Sequence, residues 1–255
     1  MKPKSSVSPE RWIIAQNSEK KYWGEFDTAK LLKEELERHR KKAKILLEEW
    51  EPFIKITKNT KILQIGSGPE DVINHFGIGK RHAIDPLADF YKSKFNLDYS
   101  NLKFIQARGE DLPFKDNFFD IVILANVLDH VENPDKVLSE IKRVLKTEGV
   151  FHFENLFYQK KFIRFAKIWG VFKEFFTKQI FNIHHPFMFT LKNLKKITSD
   201  NFLIICEYIG REIAYYENIS QLKEIRKKEK RLTIKLPAFF GLYGTINYIA
   251  ICRKK

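Results

Sequence analysis

Five short apolar runs, separated by segments of helical pattern, constrain this chain more than any other feature of it. They are KILQI (61–65), RHAID (81–85), LKFIQA (102–107), FDIVILA (119–125) and GVFHFE (149–154). A short helix is expected at 70–77, and a longer one from Pro134 to about Lys146. Short apolar strands alternating with helices bury themselves by pairing in parallel, with helical crossovers covering both faces. The expectation is an α/β chain built on a doubly wound, Rossmann-like parallel sheet.

The flanks extend this core. SPERWIIAQNSEKKYWG (8–24) reads as a helix with Ser8 as its cap and Pro9 at its first position. Residues 27–49 continue as a long charged helix capped by Asp27, with Leu31, Leu32, Leu36, Ile45 and Leu46 apolar. Residues 1–55 are therefore taken as an N-terminal helical arm or lid, and 56–255 as the main domain. After Glu154 the rhythm breaks into an insertion, 155–190, rich in Phe and Lys. A helix near 191–200 capped by Thr190, a strand at 202–209 and a last strand at 243–253 complete the chain.

With 255 residues and 44% hydrophobic content, the chain can fill one sizeable core. No apolar run approaches the roughly 18–20 residues that span a bilayer, and MKPKSSVSPERW lacks the apolar segment of a secretory signal. Cys206 and Cys252 lie in strand-like runs, which suggests two buried thiols and a reducing, cytoplasmic setting. The net charge is +14, and residues 221–255 hold ten Lys or Arg against two Glu. Such a tail suits either phosphate, on nucleic acid or lipid, or a merely solvated surface. The preference for Lys over Arg favours diffuse charge over bidentate recognition.

The first run leads into QIGSGPEDV (64–72). The Gly-x4-Gly-Lys-Ser/Thr spacing of a phosphate-gripping loop is lacking. A dinucleotide loop would want Gly where Asp71 stands, and Glu70 with Asp71 would repel a pyrophosphate on a following helix N-terminus. S-adenosylmethionine (SAM) carries no phosphate. Its sulfonium and ammonium groups are cationic, and its ribose offers two hydroxyls. We therefore assign Gly66, Ser67 and Gly68 to SAM. Asp85, ending the second run, is placed to accept the ribose hydroxyls. Glu110 or Asp111, after the third run, could meet the adenine edge, and Asn126 follows the fourth. An acid at a strand end is more often a cap or a solvated turn; the joint order of these residues carries the reading.

The same residues resemble the class I SAM-dependent methyltransferases, in the branch known as the methyltransferase type 11 domain. ILQIGSGPEDVI looks like the first motif and AIDP, with Pro86, like the second. ARGEDLPFKDNFFDIVILANVLDHVENPDKVLSEIKRVLKTEGVFHFEN looks like the third to fifth run together. The resemblance implies a mostly parallel seven-stranded sheet with an antiparallel last strand, and Gly66, Gly68, Asp85, Glu110, Asp111 and Asn126 around SAM. Gln64 departs from the family, which commonly keeps there an acid that helps hold the methionine ammonium. Glu70 replaces the usual third Gly and is expected to supply the lost charge. RWIIAQNSEKKYW, IDPLADFY and HHPFMFT are similar to segments of methyltransferases found with surface-glycan biosynthesis, which implies a sugar or glycan acceptor.

Methyl transfer is an in-line displacement on an activated methyl, so the enzyme mainly aligns the partners and excludes water. A base is needed only for an acceptor that holds its proton, as a sugar hydroxyl does. His185 is the candidate base; His184 and His130 read as hydrogen-bonded turn or packing residues. No metal-ligand spacing is visible. Trp12, Gln16, Tyr22 and Trp23 on the arm serve either as core staples or as a lid over SAM. In the insertion, Phe162, Phe165, Trp169, Phe172 and Phe176 form one helical stripe among Lys160, Arg164 and Lys167. The stripe either packs on the sheet or acceptor pocket, or lets 160–181 rest on the inner face of an anionic membrane. Two other functions remain open. An RNA or tRNA methyltransferase would suit the basic tail, although ANVLDH lacks the Asn/Asp-Pro-Pro-aromatic signature of base modifiers. A non-catalytic SAM-binding partner protein would suit Gln64 and Glu70.

Overall fold

A computed structural model describes residues 6–26, 36–177, 183–210 and 246–255, without the side chains of 172–174, 176, 177 and 246. Asp27, the start of the second helix and the basic stretch at 221–232 lie outside the described residues. Helix α1 is Pro9–Glu25, and the Ser8 hydroxyl accepts from Arg11 N as its cap. Helix α2 is Leu36–Trp50. The sheet strands are β1 (Lys61–Ile65), β2 (Lys80–Asp85), β3 (Leu102–Gln106), β4 (Phe119–Ala125), β5 (Leu145–Phe157), β6 (Phe202–Gly210) and β7 (Ile246–Lys254). Between them run α3 (Ala88–Lys94), α4 (Pro134–Val144), α5 (Lys160–Thr177) and α6 (Leu191–Asn201).

The seven strands lie in the order β3-β2-β1-β4-β5-β7-β6. β1 to β5 pair in parallel, and β7 runs antiparallel between β5 and β6. The pleat divides the core between two faces. Leu63, Ile65, Val122 and Leu124 pack with α4 residues Val137 and Ile141 on one face. Ile62, Ile121 and Ile123 meet Trp50, Phe76 and Tyr91 on the other. β1 therefore turns Gln64 toward the α2 face, where it is fully buried.

Three expectations change. The helix at 70–77 is only a 3-10 turn over Val72–Asn74, because Asp71 and Asn74 form a reciprocal capping box between Pro69 and Gly77. β5 is longer than expected and pairs with β4 from Leu145, across a register shift. Cys252 is buried on the central β7, whereas Cys206 is exposed because β6 is the sheet's edge strand.

Helix α2 is pinned to the sheet by a buried ion pair, Lys42 Nζ to Glu154 Oε2 at 2.8 Å. Burial would raise the Glu154 pKa, but the Lys42 charge and the His152 hydrogen bond outweigh it and hold the carboxyl well below its ordinary range. This contact fixes the arm close to the carboxyl ends of the strands, where open parallel sheets bind their ligands.

Candidate active site

A cavity of about 380 Å³ opens at those carboxyl ends, a size suited to a small-molecule site. Its floor is the turn after β1. Gly66 has φ 66° and Gly68 has φ 59°, in the left-handed region that favours glycine. A Cβ on Gly66 would come within 2.5 Å of Val127 Cγ2, so this position admits no side chain without displacing the wall after β4. Gly68 is different, since no atom lies within 4 Å of where its Cβ would stand. That open space leaves the backbone accessible to a ligand.

Asp85 sits beside this turn at the end of β2. Its carboxylate accepts from Gly68 N at 3.0 Å and from Leu87 N at 2.8 Å. Burial raises its pKa to about 6, with the two backbone donors opposing. Across the cavity stands Asn126, with φ 55° and a buried Oδ1 that has no hydrogen-bond partner. A buried acceptor without a donor asks for one from a ligand.

Gly66, Ser67, Gly68, Asp85, Pro86, Glu110 and Asn126 all line this cavity. Asp111 does not, which corrects the sequence expectation: it is exposed and makes a short bridge to Arg108 instead. Glu110 is on the wall, but its Oε1 accepts from Glu132 N and Asn133 N at 2.8 and 3.1 Å, fastening the loop before α4. The arm closes the cavity. Trp12, Gln16, Tyr22 and Trp23 line it from α1, and Arg38 and His39 from α2. Arg108 stacks over Trp12 at 4.0 Å and pairs with Glu132 at 2.6 Å, which holds α1 in place. Trp23 also packs edge-on against Tyr91 and Phe95, so it serves as staple and wall at once.

The charge balance of the lining suits a cation-bearing ligand. Glu19, Glu70, Asp71, Asp85 and Glu110 face Arg38 and two histidines. Glu70, however, is already engaged. Its oxygens meet His39 Nδ1 and His75 Nε2; burial opposes its ionisation, but these hydrogen bonds outweigh burial and lower its pKa. Burial likewise lowers His39, and the Glu70 hydrogen bond with the charges of Asp71 and Glu70 more than reverses this. Glu70 therefore ties the turn to α2.

The carboxylate next to Gln64 belongs to Asp71, whose Oδ2 accepts from Gln64 Nε2 at 2.6 Å. Gln64 Oε1 in turn accepts from Ile73 N at 3.1 Å. The Asp71→Asn protein is expected to bind SAM about tenfold more weakly in a calorimetric titration. Gln64→Glu alone should not raise affinity, because it sets two carboxylates against each other. The double variant, which moves the charge back into β1, should recover it.

The histidines of the insertion diverge. His184 lies between Ser18 and Glu19 of α1, each 3.4 Å away. His185 Nδ1 is 2.8 Å from Asp129 Oδ2, and its ring centroid is 4.3 Å from that of His130. His130 forms part of the cavity wall. Sequence reasoning names His185 and His130 but misses Asp129, which meets His185 only through the insertion's return past the end of β4. Burial raises Asp129, but the charge of His130 and the His185 hydrogen bond prevail and lower it. Burial lowers His185, and Asp129 more than reverses this. For His130 burial dominates and the pKa falls. Among the described residues, Asp129, His130 and His185 are the group whose ligand atoms lie close enough, within 4.8 Å, to hold a metal ion. Two imidazoles and one carboxylate suit a borderline divalent cation such as zinc or iron(II).

A doubly wound sheet with an antiparallel last strand, a glycine turn flanked by carboxylates and an acid at the end of β2 define a class I SAM-binding fold. The family described as "Methyltransferase domain" matches residues 63–153. The ubiquinone/menaquinone biosynthesis C-methyltransferase of Rickettsia prowazekii is 30% identical over 189 residues, 64% of this chain and 72% of that protein. An uncharacterised protein of Methanocaldococcus jannaschii is 54% identical over 48 residues, 19% of this chain, which thus spans only 23% of that relative's length. Among solved structures, geranyl diphosphate C-methyltransferase from Streptomyces coelicolor, in complex with Mg2+, geranyl diphosphate and S-adenosyl-L-homocysteine, superposes with a TM-score of 0.57 at 13% identity. The match covers 84% of this chain and 78% of that one. The chain belongs to the class I SAM-dependent methyltransferases, and SAM is its cofactor.

Proposed function

We propose that this chain transfers the methyl group of SAM to a small acceptor bearing a weakly acidic hydroxyl, and that His185 takes the hydroxyl proton. The observation that carries this reading is the 2.8 Å contact between His185 Nδ1 and Asp129 Oδ2, beside a second imidazole on the cavity wall. Asp129, buried and anionic, accepts the Nδ1 proton and so leaves Nε2 with the lone pair that a base requires.

SAM supplies an activated methyl that needs no further activation by the protein. The Gly66–Gly68 turn, Asp85 and Asn126 would hold it, with Asp85 accepting from the ribose hydroxyls and Asn126 Oδ1 from an N–H or O–H donor. The aromatic wall from α1 would exclude water from the line of displacement. The same base serves two acceptor types. A sugar hydroxyl, which the flanking segments suggest, would be methylated at oxygen. A phenol or hydroquinone ring, which the names of the ubiquinone/menaquinone relatives suggest, becomes nucleophilic at carbon once its hydroxyl is ionised.

The test is label transfer from methyl-labelled SAM to hydroquinones and naphthols, to nucleotide sugars and glycans, to primary amines and to RNA. Methylation of a hydroxyl-bearing small molecule is expected. Transfer to RNA or amines alone would overturn the reading. Chelation separates the two roles open to the cluster: turnover unchanged by EDTA leaves His185 as base, and turnover lost with EDTA and restored by zinc makes the three residues metal ligands instead.

A further inference from the structure

We propose that helix α5, Lys160–Thr177, rests on the surface of a bilayer containing anionic lipid. An ordinary surface helix buries its large apolar residues and exposes its polar ones. α5 does the reverse. Among its described side chains, the buried positions are the small residues Ala166 and Gly170, one turn apart. The bulky residues face outward: Phe165 is 56% exposed, Ile168 73%, Trp169 51%, Val171 70% and Phe175 80%. This corrects the packing expectation for Phe165 and Trp169. Phe162 alone of the described stripe is half-buried, stacked on Tyr158, and the side chains of Phe172 and Phe176 lie outside the described residues.

Charge identifies the occupant. Lys160, Lys161, Arg164 and Lys167 are exposed on the same helix, whose sequence holds five Lys or Arg against one acid, Glu174. A partner protein groove would bury these ammonium groups at a cost, whereas an anionic headgroup layer meets them while the aromatic and aliphatic residues enter the acyl boundary. The helix is about 27 Å long at 1.5 Å per residue. None of the described helices is long and apolar enough to cross a membrane, so α5 would lie in the interface plane. Several large apolar residues exposed on one helix ordinarily mark an interaction site.

The proposal does not depend on the acceptor, and its test uses neither cofactor nor substrate. The full chain is sedimented with vesicles of phosphatidylcholine plus phosphatidylglycerol, and with phosphatidylcholine alone, at low and high salt. Binding to the anionic vesicles, weakened by salt, is expected. Ile168→Glu with Val171→Glu, at exposed positions that leave the core intact, should reduce it by about tenfold or more. Neutralising Lys160, Arg164 and Lys167 to Gln should weaken it by about fivefold per charge. No binding at low salt would overturn the proposal. So would undiminished binding by the Ile168→Glu, Val171→Glu protein, since charge elsewhere would then be responsible. Concentration-dependent self-association lost in that double variant, without vesicle binding, would assign the face to a second copy of the chain.

Discussion

Replacing His185 by alanine is expected to lower turnover by about 10²–10⁴-fold while SAM affinity, measured by calorimetry, stays nearly constant. The asymmetry follows from position. His185 does not line the cavity beside the glycine turn; its ring lies next to that of His130 and in contact with Asp129. If it is the base, its loss takes away a proton acceptor and leaves the cavity lining intact. His130→Ala should behave differently, because that ring does line the cavity, and it should weaken SAM binding as well. Asp129→Asn should reproduce much of the kinetic loss, since Asn can donate to Nδ1 and favour the wrong tautomer. The pH profile adds a readout that a structural role would not give. Asp129 raises the His185 pKa against the effect of burial. His185 therefore becomes a base at a higher pH than it would without Asp129, and activity should rise with pH across a limb displaced upward. In Asp129→Asn that limb should move down. Equal losses of turnover and SAM affinity in His185→Ala would remove the assignment.

The second large effect is expected at Asp85. Asp85→Asn should weaken SAM binding by about 100-fold, the loss of two charge-assisted hydrogen bonds to ribose hydroxyls. Part of that loss would come from the turn, because both carboxylate oxygens hold backbone N–H groups and Asn offers only one acceptor. Acidity distinguishes the two causes. Burial raises the Asp85 pKa to about 6. Hydroxyl donors favour the ionised form, so wild-type affinity should climb as pH rises through 6, with proton release on binding near that pH. Asp85→Asn should show neither. In the empty protein the sign is opposite for folding. A raised carboxyl pKa contributes stability that is complete below the ordinary Asp value and lost as pH rises through about 6. SAM should therefore stabilise the fold more at neutral pH than in acid, which thermal unfolding with and without SAM would show.

Local patterning made the alternation of β1 to β5 with helices legible, along with the caps at Ser8 and Thr190 and the glycine turn. These depend on neighbours within a few residues: apolar runs of strand length, a hydroxyl before a helix, glycines where φ must be positive. The same locality explains the errors. A helix at 70–77 fits the composition, but a carboxylate and an amide three residues apart closed a 3-10 turn. Cys206 sits in an apolar run like Cys252, yet its exposure depends on β6 being the last strand at the edge. Glu110 lines the cavity, but that its Oε1 also accepts from Glu132 N and Asn133 N, 22 and 23 positions away, is carried by no local pattern.

The sequence by itself thus determined a class I methyltransferase fold and most of the residues that line its cavity, because the turn after β1 and the strand ends are short, contiguous motifs. Only the tertiary structure decided where the charges go. It set Asp71 rather than Glu70 beside Gln64, brought Asp129 against His185, and turned Phe165, Trp169 and Phe175 of α5 outward. Gln64 and Asp71 are seven positions apart, Asp129 and His185 are 56 apart, and the outward face of α5 depends on residues outside the helix. Contacts of that kind arise from how elements pack, and no local pattern carries them.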